Sequence, residues 1–172
     1  MYDAVVVKMT TDYKEYLSQW IVEVLDKPQA WLNNLPSCPY AKQALINDRI
    51  DFRSSNDYIT DVHKLFDQWP TQFDVVILVC DDGIDSDVFS EHVATLNKQY
   101  VPLGYACLED HVDCVETVKD INFNNGKYNL ILCQPLNKLN AATVQLHKQG
   151  YYDHWPKDYY DQVVSWRLSG PK

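Results

Sequence analysis

Glycine is scarce, five residues in 172, and no glycine-rich run joins a strand to a helix. The loops that cradle nucleotide phosphates are therefore excluded. His-Glu-x-x-His and Gly-x-Ser-x-Gly segments are missing as well, which removes common zinc-protease and serine-hydrolase signatures. Positive charge is also in short supply: 15 Lys plus Arg stand against 24 Asp plus Glu, a net charge of −9. With no basic stretch to offset this, nucleic acid and acidic membranes are not expected as partners. The acids are spread from Asp3 to Asp161, a distribution that also disfavours DNA mimicry. No apolar run reaches the roughly 18–20 residues that span a bilayer, and Met1–Lys8 lacks the basic and apolar regions of an export signal. A cytoplasmic location is expected.

The five cysteines, Cys38, Cys80, Cys107, Cys114 and Cys133, are odd in number and too sparse for a disulfide framework. Cys80 and Cys133 end the apolar runs Val75–Cys80 and Leu130–Cys133, where a thiol acts as a small hydrophobe.

What is present is an ordinary globular mixture, 46% hydrophobic and 23% charged, in a length suited to one domain. Three- and four-residue spacing of apolar side chains predicts helices over Asp12–Leu25, Asp57–Trp69, Asp85–Tyr100, Asn137–Lys148 and Lys157–Leu168. Shorter helical pieces are expected around Gln29–Asn33 and through Ala41, Ala44 and Leu45. Strands are predicted at Arg49–Arg53, Phe73–Cys80, Leu103–Leu108 and Tyr128–Gln134. The second of these reads as central, because its run of β-branched residues suits burial on both faces. The alternation implies an α/β (α+β) fold with a single layer of about four strands covered by helices, ferredoxin-like or a related split arrangement. One domain over residues 1–172 is expected, with N-terminal helices (about 12–48) and C-terminal helices (about 137–168) packed on the sheet.

The most informative segment is Leu35-Pro36-Ser37-Cys38-Pro39-Tyr40-Ala41-Lys42. A cysteine just before a helix start faces unsatisfied amides, which favour thiolate, and Lys42 falls one turn away to support it. Cys38 is thus a candidate nucleophile or redox thiol, with Lys42 as electrostatic support and His63 or His111 as the base. Cys-Pro-Tyr is similar to glutaredoxin active sites, but those follow a strand and carry a second cysteine where Ala41 stands here. The competing expectation is a cysteine simply packed beneath the helix start.

Trp31-Leu32, Leu35 and Cys38-Pro39-Tyr40-Ala41-Lys42-Gln43-Ala44 together resemble the N-terminal signature of an uncharacterised bacterial domain family carrying Cys-Pro-Phe-Ala-Lys after a tryptophan-bearing helix. The resemblance implies a helix-and-strand domain of similar length and points to Cys38, and it brings no activity with it. Tyr40 replaces the family's Phe, and His111 is followed by Val112 where a His-Pro pair is expected.

Asp81, Asp82 and Asp85 cluster after the central strand and are candidates for a divalent cation, with helix capping by Asp85 as the favoured alternative. Cys107, His111 and Cys114 form a Cys-x3-His-x2-Cys cluster without the further ligands that zinc requires. The sequence leaves the cofactor unknown.

From Tyr151 to Trp166, six aromatics fall within sixteen residues. Such density closes the domain's own core or docks a partner. Tyr151, Trp155 and Tyr159, with Pro39 and Tyr40, are the candidate binding residues for a protein partner or a second copy of the chain. A soluble accessory or binding protein is the leading functional expectation. A thiol-dependent redox or nucleophilic enzyme using Cys38 is the alternative, and a divalent-metal-binding protein the second alternative.

Overall fold

The computed structural model describes residues 12–168 apart from positions 82, 116 and 120, so Asp82 and the segment read for an export signal lie outside the described residues. Residues 12–20 form α1, which widens into a π-helical turn at Ile21–Leu25. Two-residue strands β1 (Pro28–Gln29) and β2 (Leu35–Pro36) pair around a short 3-10 turn. Then come α2 (Ala41–Ile46), β3 (Ile50–Ser55), α3 (Tyr58–Asp67), β4 (Val75–Cys80), α4 (Ser86–Tyr100) and β5 (Tyr105–Asp110). A second small hairpin, β6 (Thr117–Val118) and β7 (Ile121–Asn122), precedes β8 (Asn129–Pro135) and α5 (Leu136–Lys148). The C-terminal segment holds α6 (Lys157–Tyr160), a π-helical turn at Asp161–Ser165 and α7 (Trp166–Leu168).

The main sheet has four strands in the order β3-β4-β8-β5. β3 and β4 are parallel, with Ile50 opposite Val75, and α3 makes the crossover between them. β8 runs antiparallel to both neighbours, pairing Leu78 with Ile131 and Cys107 with Cys133. β4 and β5 therefore point the same way with β8 inserted between them, and α4 connects the two halves of this split βαβ unit. The fold is α+β, with a four-stranded mixed sheet.

Helix starts follow local chemistry. The Asp57 carboxylate accepts from the Thr60 amide at 3.1 Å and its hydroxyl at 2.7 Å. Asp85 does the same for α4, accepting from the amides of Asp87 and Val88 at 3.0 and 3.2 Å. Such a cap is worth about 1 kcal/mol. β5 starts two residues later than its sequence pattern suggests, because Val101–Leu103 coils into a 3-10 turn that Gly104 ends at φ +92.

Side chains alternate across the sheet as strand geometry demands. Val76, Leu78 and Cys80 of β4, with Ile131 and Cys133 of β8, face α3 and α4 and pack on Val62, Phe66, Phe89 and Val93. Ile77, Val79 and Leu130 face the opposite side and meet Leu17, Trp20 and Ile21 of α1. Leu130 and Ile131 are completely buried, each contributing roughly 1.5–3 kcal/mol by loss of apolar contact with water. Cys80 and Cys133 lie in the first core as expected, and burial pushes the Cys80 thiol up to about 12.

A third cluster joins distant segments, with Leu32, Leu146 and Tyr151 buried beneath Trp31, Leu35, Tyr152 and Trp155. Gly150 makes this closure possible. At φ +72 it ends α5, and a Cβ there would fall 2.7 Å from an Asp153 carboxylate oxygen and 3.2 Å from Asn33 Nδ2. The Asn33 side chain donates to the Gly150 carbonyl at 2.8 Å, tying the β1–β2 loop to the C-terminal segment.

Candidate functional site

The second face of the sheet is covered only in part by the α1 side chains. Between it and the helices lies a chamber of about 440 Å³, within the usual range for small-molecule sites. Ile77 and Leu132 form its floor, Trp20, Ile21 and Leu25 one wall, and Leu139, Leu146 and Val164 another. Both π-helical turns contribute to these walls, through Ile21 and Leu25 and through Val163 and Val164. Such turns recur at functional sites, since an extra residue per turn interrupts the regular helical ladder.

Cys38, Pro39, Tyr40, Tyr151 and Trp155 all line this chamber. Five residues singled out by sequence thus meet in one place, although they come from segments more than a hundred positions apart. Tyr159 lies outside the lining and packs at a tilt against Trp155 with ring centroids 4.9 Å apart.

The helix start near Cys38 differs in detail from the expected one. α2 begins at Ala41 with Tyr40 as its N-cap, so Pro39 occupies the preceding turn rather than the first helical position. The amides of Ala41 and Tyr40 still interact favourably with a Cys38 thiolate, but burial outweighs them and pushes its pKa up, and nearby Asp26 adds to the rise. The residue is partly exposed by surface area, a surface that belongs to the chamber, so partial access and strong desolvation coexist. The expected depressed thiol is therefore corrected to a raised one. Lys42 is engaged by Asp26 at 3.1 Å and supports a carboxylate instead of a thiolate.

His111 is not placed to serve as the base. Its Nε2–H donates to the Ile84 carbonyl at 2.6 Å, and its Nδ1 accepts from the Asp113 amide at 3.1 Å, leaving no free lone pair. It follows β5 beside the end of β4 that carries Cys80, whereas the chamber reaches the other end, at Val75. Those ends are about 17 Å apart along the strand. His63 pairs with the Tyr100 hydroxyl, and His92 Nδ1 with the Tyr58 hydroxyl at 2.6 Å, both on the α3–α4 side of the sheet.

Alkylation gives a direct check on the thiols. Exposed Cys114 is expected to react first, and Cys38 to show an apparent pKa above the ordinary value of about 8.5. Rapid Cys38 labelling near pH 6–7, followed by mass spectrometry of peptides, would overturn that expectation.

Tyr151 is also corrected as an exposed docking residue. It is 2% exposed, and its hydroxyl contacts the Pro36 and Ser37 carbonyls at 3.0 and 2.6 Å. Apolar area removed from water, combined with a satisfied hydroxyl, draws it inward. Trp155 is half-buried against Tyr151 and Tyr152, with ring centroids 5.7 and 5.0 Å apart. Among the described residues, the buried Trp31 and Trp155 indole N–H groups have no acceptor.

At the other end of the sheet, Asp85 serves α4 as its cap and Asp81 is exposed. Among the described residues no three His, Cys, Asp or Glu side chains converge as a metal site requires, and no helix is long and apolar enough to cross a membrane.

The residues that sequence reading passed over are the chamber's charged ones. Asp74 accepts from Arg49 Nε and Nη2 at 2.7 Å each, and from Lys138, so its pKa falls to about 2, chiefly through the Arg49 hydrogen bonds. Arg167 lines the chamber deep in the C-terminal segment. The available signal was its place four residues after Val163, on the same helical face. Comparison with protein-family models, curated proteins and solved structures finds no match for the chain.

Proposed function

We propose that the chain is a binding protein whose chamber takes a small, largely apolar molecule. The observation that carries this reading is the chamber itself, about 440 Å³ of predominantly apolar space bounded by the sheet, the Cys38 loop and the C-terminal helices. A half-open cleft of that size leaves apolar wall in contact with water. An occupant removes that surface from water, and the aromatic rings of Tyr40 and Trp155 supply flat apolar surface beside it. Cys38 is a protonated, weakly polar part of the wall in this reading.

Titration with the neutral fluorophore N-phenyl-1-naphthylamine tests the proposal. Its emission is expected to rise on entry into the chamber while the tryptophan emission of Trp20 and Trp155 falls. Ala142 lines the chamber, and Ala142→Phe is expected to weaken binding on the order of tenfold or more by filling it. Ala44→Phe, on the opposite wall, supplies a second variant. Equal probe affinity in wild type and in either cooperatively folding variant, or no binding by the wild type, would overturn the reading.

A further inference from the structure

The cations of this molecule divide in an unexpected way. Arg49, Arg53, Lys42 and Lys157, all partly or fully exposed, are each paired with an aspartate. Arg167 is only 4% exposed, and among the described residues it has no carboxylate partner. Its Nε donates to the Val163 carbonyl at 3.2 Å, and its Nη1 donates to Asn140 Oδ1 at 3.3 Å and Thr143 Oγ1 at 2.9 Å. All of these acceptors are uncharged. Burial correspondingly lowers the Arg167 pKa, with the neighbouring Tyr152 hydroxyl opposing the fall.

Among the described residues this guanidinium has no counter-ion, so its desolvation is offset by neutral hydrogen bonds alone, a rare arrangement for a buried charge. The surrounding charges sharpen the point. Among the described residues, Arg49, Lys138 and Arg167 line the chamber against Asp74 alone, an excess of two positive charges (three minus one) in a chain whose net charge is −9. The planar guanidinium fork matches a carboxylate, and low polarity around it strengthens the pairing.

Resting on the binding function proposed above, we infer that the ligand is an amphipathic monocarboxylate. Its head group pairs with Arg167, and its apolar body lies along Leu139, Leu146, Leu132 and Ile77. The one cation buried among the described residues suits one carboxylate head, and the predominantly apolar walls suit a medium-length hydrocarbon chain.

Calorimetric titration of the wild type with decanoic acid, 1-decanol and decyltrimethylammonium tests the inference. The acid is expected to bind on the order of tenfold to hundredfold tighter than the alcohol, the range of a charge-assisted hydrogen bond, and the cation more weakly than the alcohol. Arg167→Met, which keeps the stem and removes the charge, is expected to make acid and alcohol equal. Lys138→Met is expected to retain the preference. Equal binding of acid and alcohol by the wild type, or of acid and cation, would overturn the inference even if Arg167→Met does not fold. A preference retained by folded Arg167→Met would remove the assigned residue. Failure of the neutral fluorophore to bind would sink the underlying binding function, whereas fluorophore binding without acid selectivity would sink only the carboxylate.

Discussion

Tyr151→Ala is expected to lower stability by about 3–5 kcal/mol, the range for removing a large aromatic from a core. The side chain is 2% exposed and packs with Leu32 and Leu146, so truncation leaves a hole where three distant segments meet. It also removes the hydroxyl shared by the Pro36 and Ser37 carbonyls, which holds the Cys38 loop against the C-terminal segment. Tyr151→Phe retains the ring and is expected to cost about 1 kcal/mol, the net value of one hydrogen bond. Urea unfolding measures both. A loss under about 1 kcal/mol for Tyr151→Ala would mean that the rings are not part of the cooperative core. Fluorophore affinity should fall with the alanine variant even where folding persists, because one wall of the chamber is removed.

The second large effect is expected at Asp110. This carboxylate is 9% exposed at the end of β5 and holds the Asn122–Tyr128 connection. It accepts from the Asn125 amide at 2.9 Å, from Asn125 Nδ2 at 2.6 Å and from Asn124 Nδ2. Asp110→Ala deprives the Asn125 backbone N–H of its acceptor and should cost about 3 kcal/mol, a typical penalty for uncompensated buried polar groups. Burial raises the Asp110 pKa, outweighing the hydrogen bonds that lower it. The folded state therefore holds the proton more tightly than the unfolded chain does. Stabilisation from this linkage is fully present below the unfolded value of about 3.9 and is lost as pH rises through the folded pKa. Asp110→Asn lacks that titration, so its stability relative to wild type should be least favourable in acid and improve toward neutral pH. A pH-independent difference between the two would contradict the assigned cause.

Much of the fold was legible because its elements are strongly patterned. The β-branched run at Val75–Cys80 became a strand buried on both faces, and the apolar spacing over 57–69 and 85–100 became α3 and α4. Pairs of residues in β1–β2 and β6–β7 were too short to leave a periodic signal. The π-helical turns escaped notice for a related reason, as their flanking sequence carries ordinary helical spacing. Cys38 and Trp155 were recognisable from chemistry and density alone. Their meeting in one chamber was not, because it depends on Gly150 and Tyr151 folding the C-terminal segment back onto the β1–β2 loop.

The amino-acid order by itself determined the helices and the four main strands, since these depend on local spacing and composition. Tertiary structure alone decided the burial that pushes the Cys38 thiol up, the inward turn of Tyr151 and the isolation of Arg167 from any described carboxylate. Those properties depend on what a side chain meets across long separations in the chain, where burial and neighbouring charge set the free energy of each ionised group.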